Sequence, residues 1–178
     1  MATATKWVID PTHSEVQFKV KHLVISTVSG FFRSFEGSLT TENDDFEGAS
    51  VEFTIDINSI DTNQTQRDGH LKSADFFDSE KYPNLKFKST SFTKTGDDEY
   101  KLTGDLTVKD VTKPITLDVE YGGSANDSYG NTKAGFEVIG KINRKEFGLT
   151  WNGVTEAGAI VAGEDIKISI NAQFVKQA

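Results

Sequence analysis

The sequence predicts an all-β fold of antiparallel strands, and three observations predict it. Apolar and polar residues alternate strictly in about eight segments, which is the period of strands with one face buried and the other in water. Turn-forming clusters separate those segments at short intervals. Only one stretch, TNQTQRDGHLKSADFFDSEKYP over 62–83, is long and polar enough to hold a helix. No repeat, low-complexity tract or linker divides the 178 residues, so 1–178 is expected to be a single domain, burying roughly two thirds of its unfolded surface. A sandwich and a barrel both satisfy this pattern. Closure removes the sheet edges that invite aggregation, which favours an eight-stranded barrel whose interior is either packed solid or holds one small ligand.

Trp7-Val8-Ile9 is a short apolar opening stopped by Asp10-Pro11, a turn signal. In SEVQFKVK, Val16, Phe18 and Val20 share one face while Glu15, Gln17, Lys19 and Lys21 share the other. HLVISTVSG breaks the alternation. FFRSFEGSLTT resumes it with Phe31, Arg33, Phe35 and Leu39 in one phase and Phe32 in the other, a conflict that a bulge near Gly30 or Ser34 resolves. After the acidic turn NDDFEG, Val51, Phe53, Ile55 and Ile57 alternate with Glu52, Thr54, Asp56 and Asn58. The excursion over 62–83 follows. Asn63 and Gln66 have the spacing of a capping box, so a short helix is expected from there to about Lys72, weakened by Gly69 by roughly 1 kcal/mol relative to Ala. Phe76, Phe77 and Tyr82 then precede Pro83. An apolar plug behind a charged helix is the layout of a lid over a mouth.

Beyond Pro83, Leu85 and Phe87 alternate with Lys86 and Lys88, and the apolar face turns polar at Ser89 and Ser91. TGDDE is a turn. Tyr100, Leu102, Leu106 and Val108 share a face with Gly104, and DVTKP connects them to Ile115, Leu117, Val119 and Tyr121 as a hairpin. GGSANDSYGN is loop by composition. Ala134, Phe136, Val138 and Ile142 share a face with Gly140 until NRKEFG stops the strand. Residues 149–163, rich in Gly and Ala, resist assignment, and Ile166, Ile168, Ile170, Ala172 and Phe174 supply a last apolar face.

The charge balance narrows the function. With 27 Asp and Glu against 19 Lys and Arg the net charge is −8, and no run of Lys and Arg along the chain offsets it, so nucleic acid is not expected as a partner. The absence of cysteine rules out a disulfide scaffold and leaves the redox compartment open. No apolar run approaches the ~20 residues of a membrane span, and MATATKWVIDPTHS lacks the parts of a signal peptide. As written the chain is expected to be cytoplasmic, or periplasmic if a native leader has been removed. His13, His22 and His70 with Asp68 match no compact zinc signature, so no metal or cofactor is expected. Ser14 and His13 are adjacent and point to opposite faces of a strand. With no nucleophile elbow, phosphate loop or metalloprotease helix either, catalysis is not expected.

Several motifs stand in a definite order: Trp7-x-Ile9-Asp10-x-x-His13-Ser14, Phe18-x-Val20-x-His22, Gly30-x-Phe32-x-x-Phe35-x-Gly37, Arg67-Asp68-x-His70-Leu71-x-Ser73-x-Asp75-Phe76-Phe77, Tyr82-Pro83, Gly104-Asp105-Leu106-Thr107-Val108, Gly135-Phe136 and Arg144-x-x-Phe147-Gly148. In order and spacing they resemble the YceI-like family over almost the whole chain. The resemblance implies an extended, lipocalin-like barrel whose interior binds a polyisoprenoid or another long-chain amphiphile, often as a homodimer. Asp110 stands where that family often has Gly.

On fold and resemblance together the chain is expected to be a non-catalytic protein that binds, transports or stores an isoprenoid or acyl amphiphile. The alternative is an isomerase or cyclase acting on such a lipid, with His70 or His13 as general base. Strand phase selects Val16, Phe18, Val20, Phe35, Phe53, Ile55, Phe87, Leu102, Leu106, Leu117, Phe136, Val138, Ile168 and Ile170 as the apolar lining; the competing reading is that the thirteen Phe simply pack a core. Arg33, Arg67, His70 and Arg144 are the candidates for meeting a polar head group. For Arg67 and Arg144 a structural ion pair competes with that role, and Arg33, a cation on an apolar phase, needs a partner or an exit to solvent.

Overall fold

The computed structural model describes residues 4–22, 25–42, 46–74, 76–149 and 162–177, and among them one α-helix, three short 3-10 turns and one antiparallel sheet account for the regular structure. The strands are β1 (Thr5–Ile9), β2 (Glu15–His22), β3 (Ser26–Phe32), β4 (Phe35–Thr41), β5 (Ser50–Asp56), β6 (Ile60–Asp61), β7 (Asn84–Lys94), β8 (Glu99–Val108), β9 (Val111–Asn126), β10 (Thr132–Asn143) and β11 (Ala162–Lys176). Six of them are halves of bent strands. β2 pairs with β3 and β1 with β4, so β1–β2 and β3–β4 form one long bent hairpin. β5 and β6 continue against β4 and β3 in the same manner. Counted this way the ring has eight strands, and it closes where β1 pairs with β11 as well as with β4. The predicted eight-stranded barrel is what the chain forms.

The bends have a local cause. Asp10 caps the 3-10 turn Pro11–His13 by accepting the Thr12 N–H, and Asp56 caps Ile57–Ser59 by accepting the Asn58 N–H. A short carboxylate bonding backbone two residues on is what turns a strand at these points. In the middle strand Arg33 and Ser34 leave the ladder, and their backbone groups pair with Ser59 and Asp56 instead. This break, at the Ser34 side of the expected bulge, shifts the phase so that Phe32 and Phe35 are both buried.

Three expectations are corrected. GGSAN is not loop: β9 runs on to Asn126, because its backbone pairs with β10 through a bulge at Gly135/Phe136, and Gly123 takes φ 106 there. The hairpin connection is shorter than DVTKP, since Val111 to Pro114 already pair with β8 and Lys109 takes the left-handed φ of 58. The helix, α1 (Thr65–Lys72), is capped by Gln64, whose side chain accepts the Arg67 N–H, while Asn63 sits outside it at φ 64. Of the residues that resisted assignment, all but Leu149, Ala162 and Gly163 lie outside the described residues.

Candidate functional site

Both ends of the barrel are covered, by different means. At the end where β1 meets β4, Phe46 drops between strands onto Trp7, Tyr121 and Phe136, with ring centroids 5.5, 5.3 and 4.9 Å away. Phe174 packs edge-on to Phe136 at 5.9 Å, and Phe92 stacks on Tyr100 at 4.8 Å. These rings form a solid floor. At the other end lies α1, which buries none of its own residues, followed by Phe76, which is buried.

Between them is a cavity of about 370 Å³. Its lining is apolar except for Gln17, Lys21, Thr62, Arg67, His70 and Arg144. The space exists partly because of glycines in the inward phase. A Cβ on Gly30 would lie 2.3 Å from Phe18 Cζ, one on Gly37 2.7 Å from Phe53 Cδ2, and one on Gly140 2.1 Å from Leu117 Cδ2. Phe18, Phe53 and Leu117 therefore lie across bare backbone instead of standing out into the centre.

Of the fourteen residues selected by strand phase, all but Phe35 line this cavity. Phe35 is buried but stacked on Phe53, centroids 5.8 Å apart, and does not reach the space. Phase reasoning missed Val28 and Phe32, which come inward through the break at Arg33–Ser34, and the lid contributes Leu71, Phe76 and Phe77. Phe77 meets Phe32 edge-on at 6.2 Å, joining lid to wall.

The head-group candidates divide. Arg33 is on the outside: its guanidinium lies 4.5 Å from the Phe31 ring centroid and bonds Asp61 at 3.1 and 3.2 Å, because the phase shift turns Phe31 and Arg33 outward together. Hydrogen bonding from Asn63, then from Arg33, holds the Asp61 carboxyl below its ordinary value. Arg67, His70 and Arg144 all border the cavity at the lid end. Arg67 donates from Nε to Thr62 Oγ1 at 2.8 Å and from Nη2 to Thr62 O at 2.6 Å, while Asp68 Oδ1 accepts both the Thr62 N–H and hydroxyl. These bonds tie α1 to the end of β6. His70 meets Phe76 edge-on at 5.2 Å.

Arg144 is the buried cation of the site, 3% exposed, donating from Nε to Gly163 O and from Nη1 to Leu149 O. Burial pushes it below its ordinary value against the opposing Glu164 carboxylate, yet an arginine stays charged. The arrangement places positive charge at one end of an otherwise greasy chamber.

His13 is remote from the chamber. It sits on the exposed turn after β1, bonded through Nδ1 to Asp10 Oδ2 at 2.7 Å, and borders an open groove on the outer wall beside Gly122, Gly123 and Gly135. No group of three His, Cys, Asp or Glu placed to hold a metal occurs among the described residues. Nor is any helix there long and apolar enough to cross a membrane.

A family model described as the YceI-like domain matches residues 7–174. Protein YceI of Escherichia coli O6:H1 is 40% identical over 178 residues, 99% of this chain and 90% of that protein. Among solved structures, Burkholderia cenocepacia BcnA superposes with a TM-score of 0.81 at 21% identity, covering 93% of this chain and 98% of that one. A polyisoprenoid binding domain from Saccharophagus degradans superposes with 0.69 at 16% identity, over 96% and 98%.

Proposed function

Since the chain belongs to the YceI-like family, we propose that it binds a long-chain amphiphile, a polyisoprenoid or a similar lipid, with the tail inside the barrel, and that it carries or stores this ligand without transforming it. The cavity is the observation that carries this reading. Its volume of about 370 Å³ falls within the ~300–1,000 Å³ range of small-molecule sites, and its wall offers almost nothing but hydrocarbon. At about 0.8 kcal/mol per methylene, each five-carbon unit taken out of water contributes on the order of 4 kcal/mol before ordering costs. A few units suffice for tight binding. The polar end then lies toward Arg67, His70 and Arg144, because a charged or hydroxylated head buried against the aromatic floor would leave its hydrogen bonds unmade. The fold shared with the polyisoprenoid binding domain of Saccharophagus degradans supports the same ligand chemistry.

Organic extraction of the purified protein followed by mass spectrometry tests this, with one amphiphile per chain as the expected result. A chain that emerges empty and also fails to take up an added polyprenol overturns it. Val138→Trp, which fills the chamber from β10, should fold and lose uptake.

Catalysis on the same lipid has one point in its favour: of the two histidines considered as bases, His70 borders the cavity and His13 does not. Under that reading His70→Gln abolishes turnover and spares uptake; a variant that takes up lipid normally, with no reaction detectable in either protein, returns the site to binding alone.

A further inference from the structure

The outer wall at the lid end carries charge that no stretch of the sequence reveals. Lys141 of β10 stands directly opposite Lys167 of β11, and Lys167 directly opposite Lys19 of β2, so three lysines from distant parts of the chain form one row across three strands. All three are exposed, and Lys21 is exposed two residues further along β2. Among the described residues Asp165, 3.3 Å from Lys141, pairs into the row, and Glu164 beside it pairs with Lys145 instead. On the floor side an uncharged row, Ile139, Ser169 and Gln17, separates the lysines from Glu137 and Glu15. Like charges directly opposite each other oppose strand pairing, so the row is a cost to the barrel that calls for something outside it.

Two features give its position meaning. Val20 and Ile166, a paired couple beside the row, face inward and line the cavity. Ile25, in the connection from β2 to β3 four residues past Lys21, is 85% exposed, a large apolar side chain where a turn residue would be ordinary. Cations flanking an exposed apolar tip are what an anionic bilayer surface attracts, the lysines meeting phosphates and the isoleucine the acyl boundary. We propose that this face docks on an anionic lipid membrane, setting the lid end against the bilayer from which the ligand is drawn. The proposal rests on the lipid-binding reading above. The net charge of −8 works with it: an anionic surface repels most of the molecule and attracts this side, so the field orients the barrel as it approaches.

The experiment is sedimentation of the full chain with vesicles of phosphatidylcholine containing phosphatidylglycerol and with vesicles of phosphatidylcholine alone. Binding is expected to the first only, weakening as salt rises. Combining Lys19→Glu, Lys141→Glu and Lys167→Glu should lower partitioning on the order of a hundredfold. Combining Lys86→Glu, Lys88→Glu and Lys94→Glu on β7, across the ring, makes the same change in net charge and should lower it only slightly. Equal loss in both sets, or no vesicle binding by the unsubstituted protein, overturns the proposal. The glutamine versions at 19, 141 and 167 guard against misfolding: relieved of mutual repulsion, they should unfold no earlier than the parent and still lose the vesicles. Uptake of a detergent-dispersed polyprenol separates the two readings, because a docking variant that still fills its cavity has lost only the membrane contact.

Discussion

Phe46 and α1 each cover an end of the same barrel, and they are held there by opposite kinds of force. Phe46 is 5% exposed and meets rings from β1, β9 and β10, so removing it disturbs three strands at once. The helix itself buries no residue and is tethered by hydrogen bonds among Thr62, Arg67 and Asp68, with Phe76 and Phe77 just behind it adding a small apolar contact to the wall. Apolar interdigitation shared by many strands comes apart only with the whole fold, whereas a segment held mainly by local polar bonds and two rings needs less free energy to open. Glycines in the wall make room for the chamber, but they do not by themselves decide whether that room stays open. What is packed into each end decides it.

Phe46→Ala should give the largest effect, about 3–5 kcal/mol as for other buried Phe truncations, read from denaturant unfolding. Leu106→Ala, on a wall that already faces empty space, should cost clearly less, and equal costs would break the contrast between floor and chamber. Glycine substitutions sharpen it further. On Gly104 a Cβ would meet the Lys88 backbone oxygen at 2.5 Å, which cannot yield, so Gly104→Ala should cost about 1–3 kcal/mol. On Gly140 the obstacle is the tip of Leu117, which can swing inward. Gly140→Ala should therefore spare the melting temperature and reduce lipid uptake.

At the lid, Asp68→Asn weakens charge-assisted bonds of about 1.5–3 kcal/mol each in full. Ligand dissociation should accelerate on the order of tenfold or more while global unfolding hardly moves. A fall in stability matching Phe46→Ala would show the lid to be part of the core. The smallest effect concerns acid. The Thr12 hydroxyl, then His13, hold the Asp10 carboxyl down to about 2 from 3.8. Because the folded value is depressed, its stabilisation is complete above the ordinary value and drains away as pH falls from 3.8 toward about 2. Urea midpoints across that window should fall less steeply for Asp10→Asn than for the parent.

Much of the chamber was legible because side chains on a strand alternate until the strand bulges or breaks, and most of the phase-chosen lining faces the cavity. The failures cluster where alternation is interrupted. Phe31, Phe32, Arg33 and Phe35 showed a phase conflict with a bulge expected near Gly30 or Ser34, but the alternation alone did not say which side of it faced inward. Arg33 and Ser34 leave the ladder for Ser59 and Asp56 and reset the phase there. GGSAN looked like loop because composition reports side chains, and its pairing with β10 is made by backbone. By residue type Asn63 is the better helix cap, and its left-handed φ, which leaves the capping to Gln64, is invisible in sequence. The lysine row was beyond reach for a different reason: residues 19, 141 and 167 become neighbours only through register.

Closure by β1 against β11 also has a consequence for how the molecule is made. β11 follows every other strand in the chain, yet it must seat between β10 on one side and β1–β2 on the other. Until it leaves the ribosome, the earlier strands can form no more than a curved trough, greasy along its whole length, and pairing across so much sequence is slow. The chamber therefore comes into being in the last step of assembly, when the final strand seats between its two neighbours.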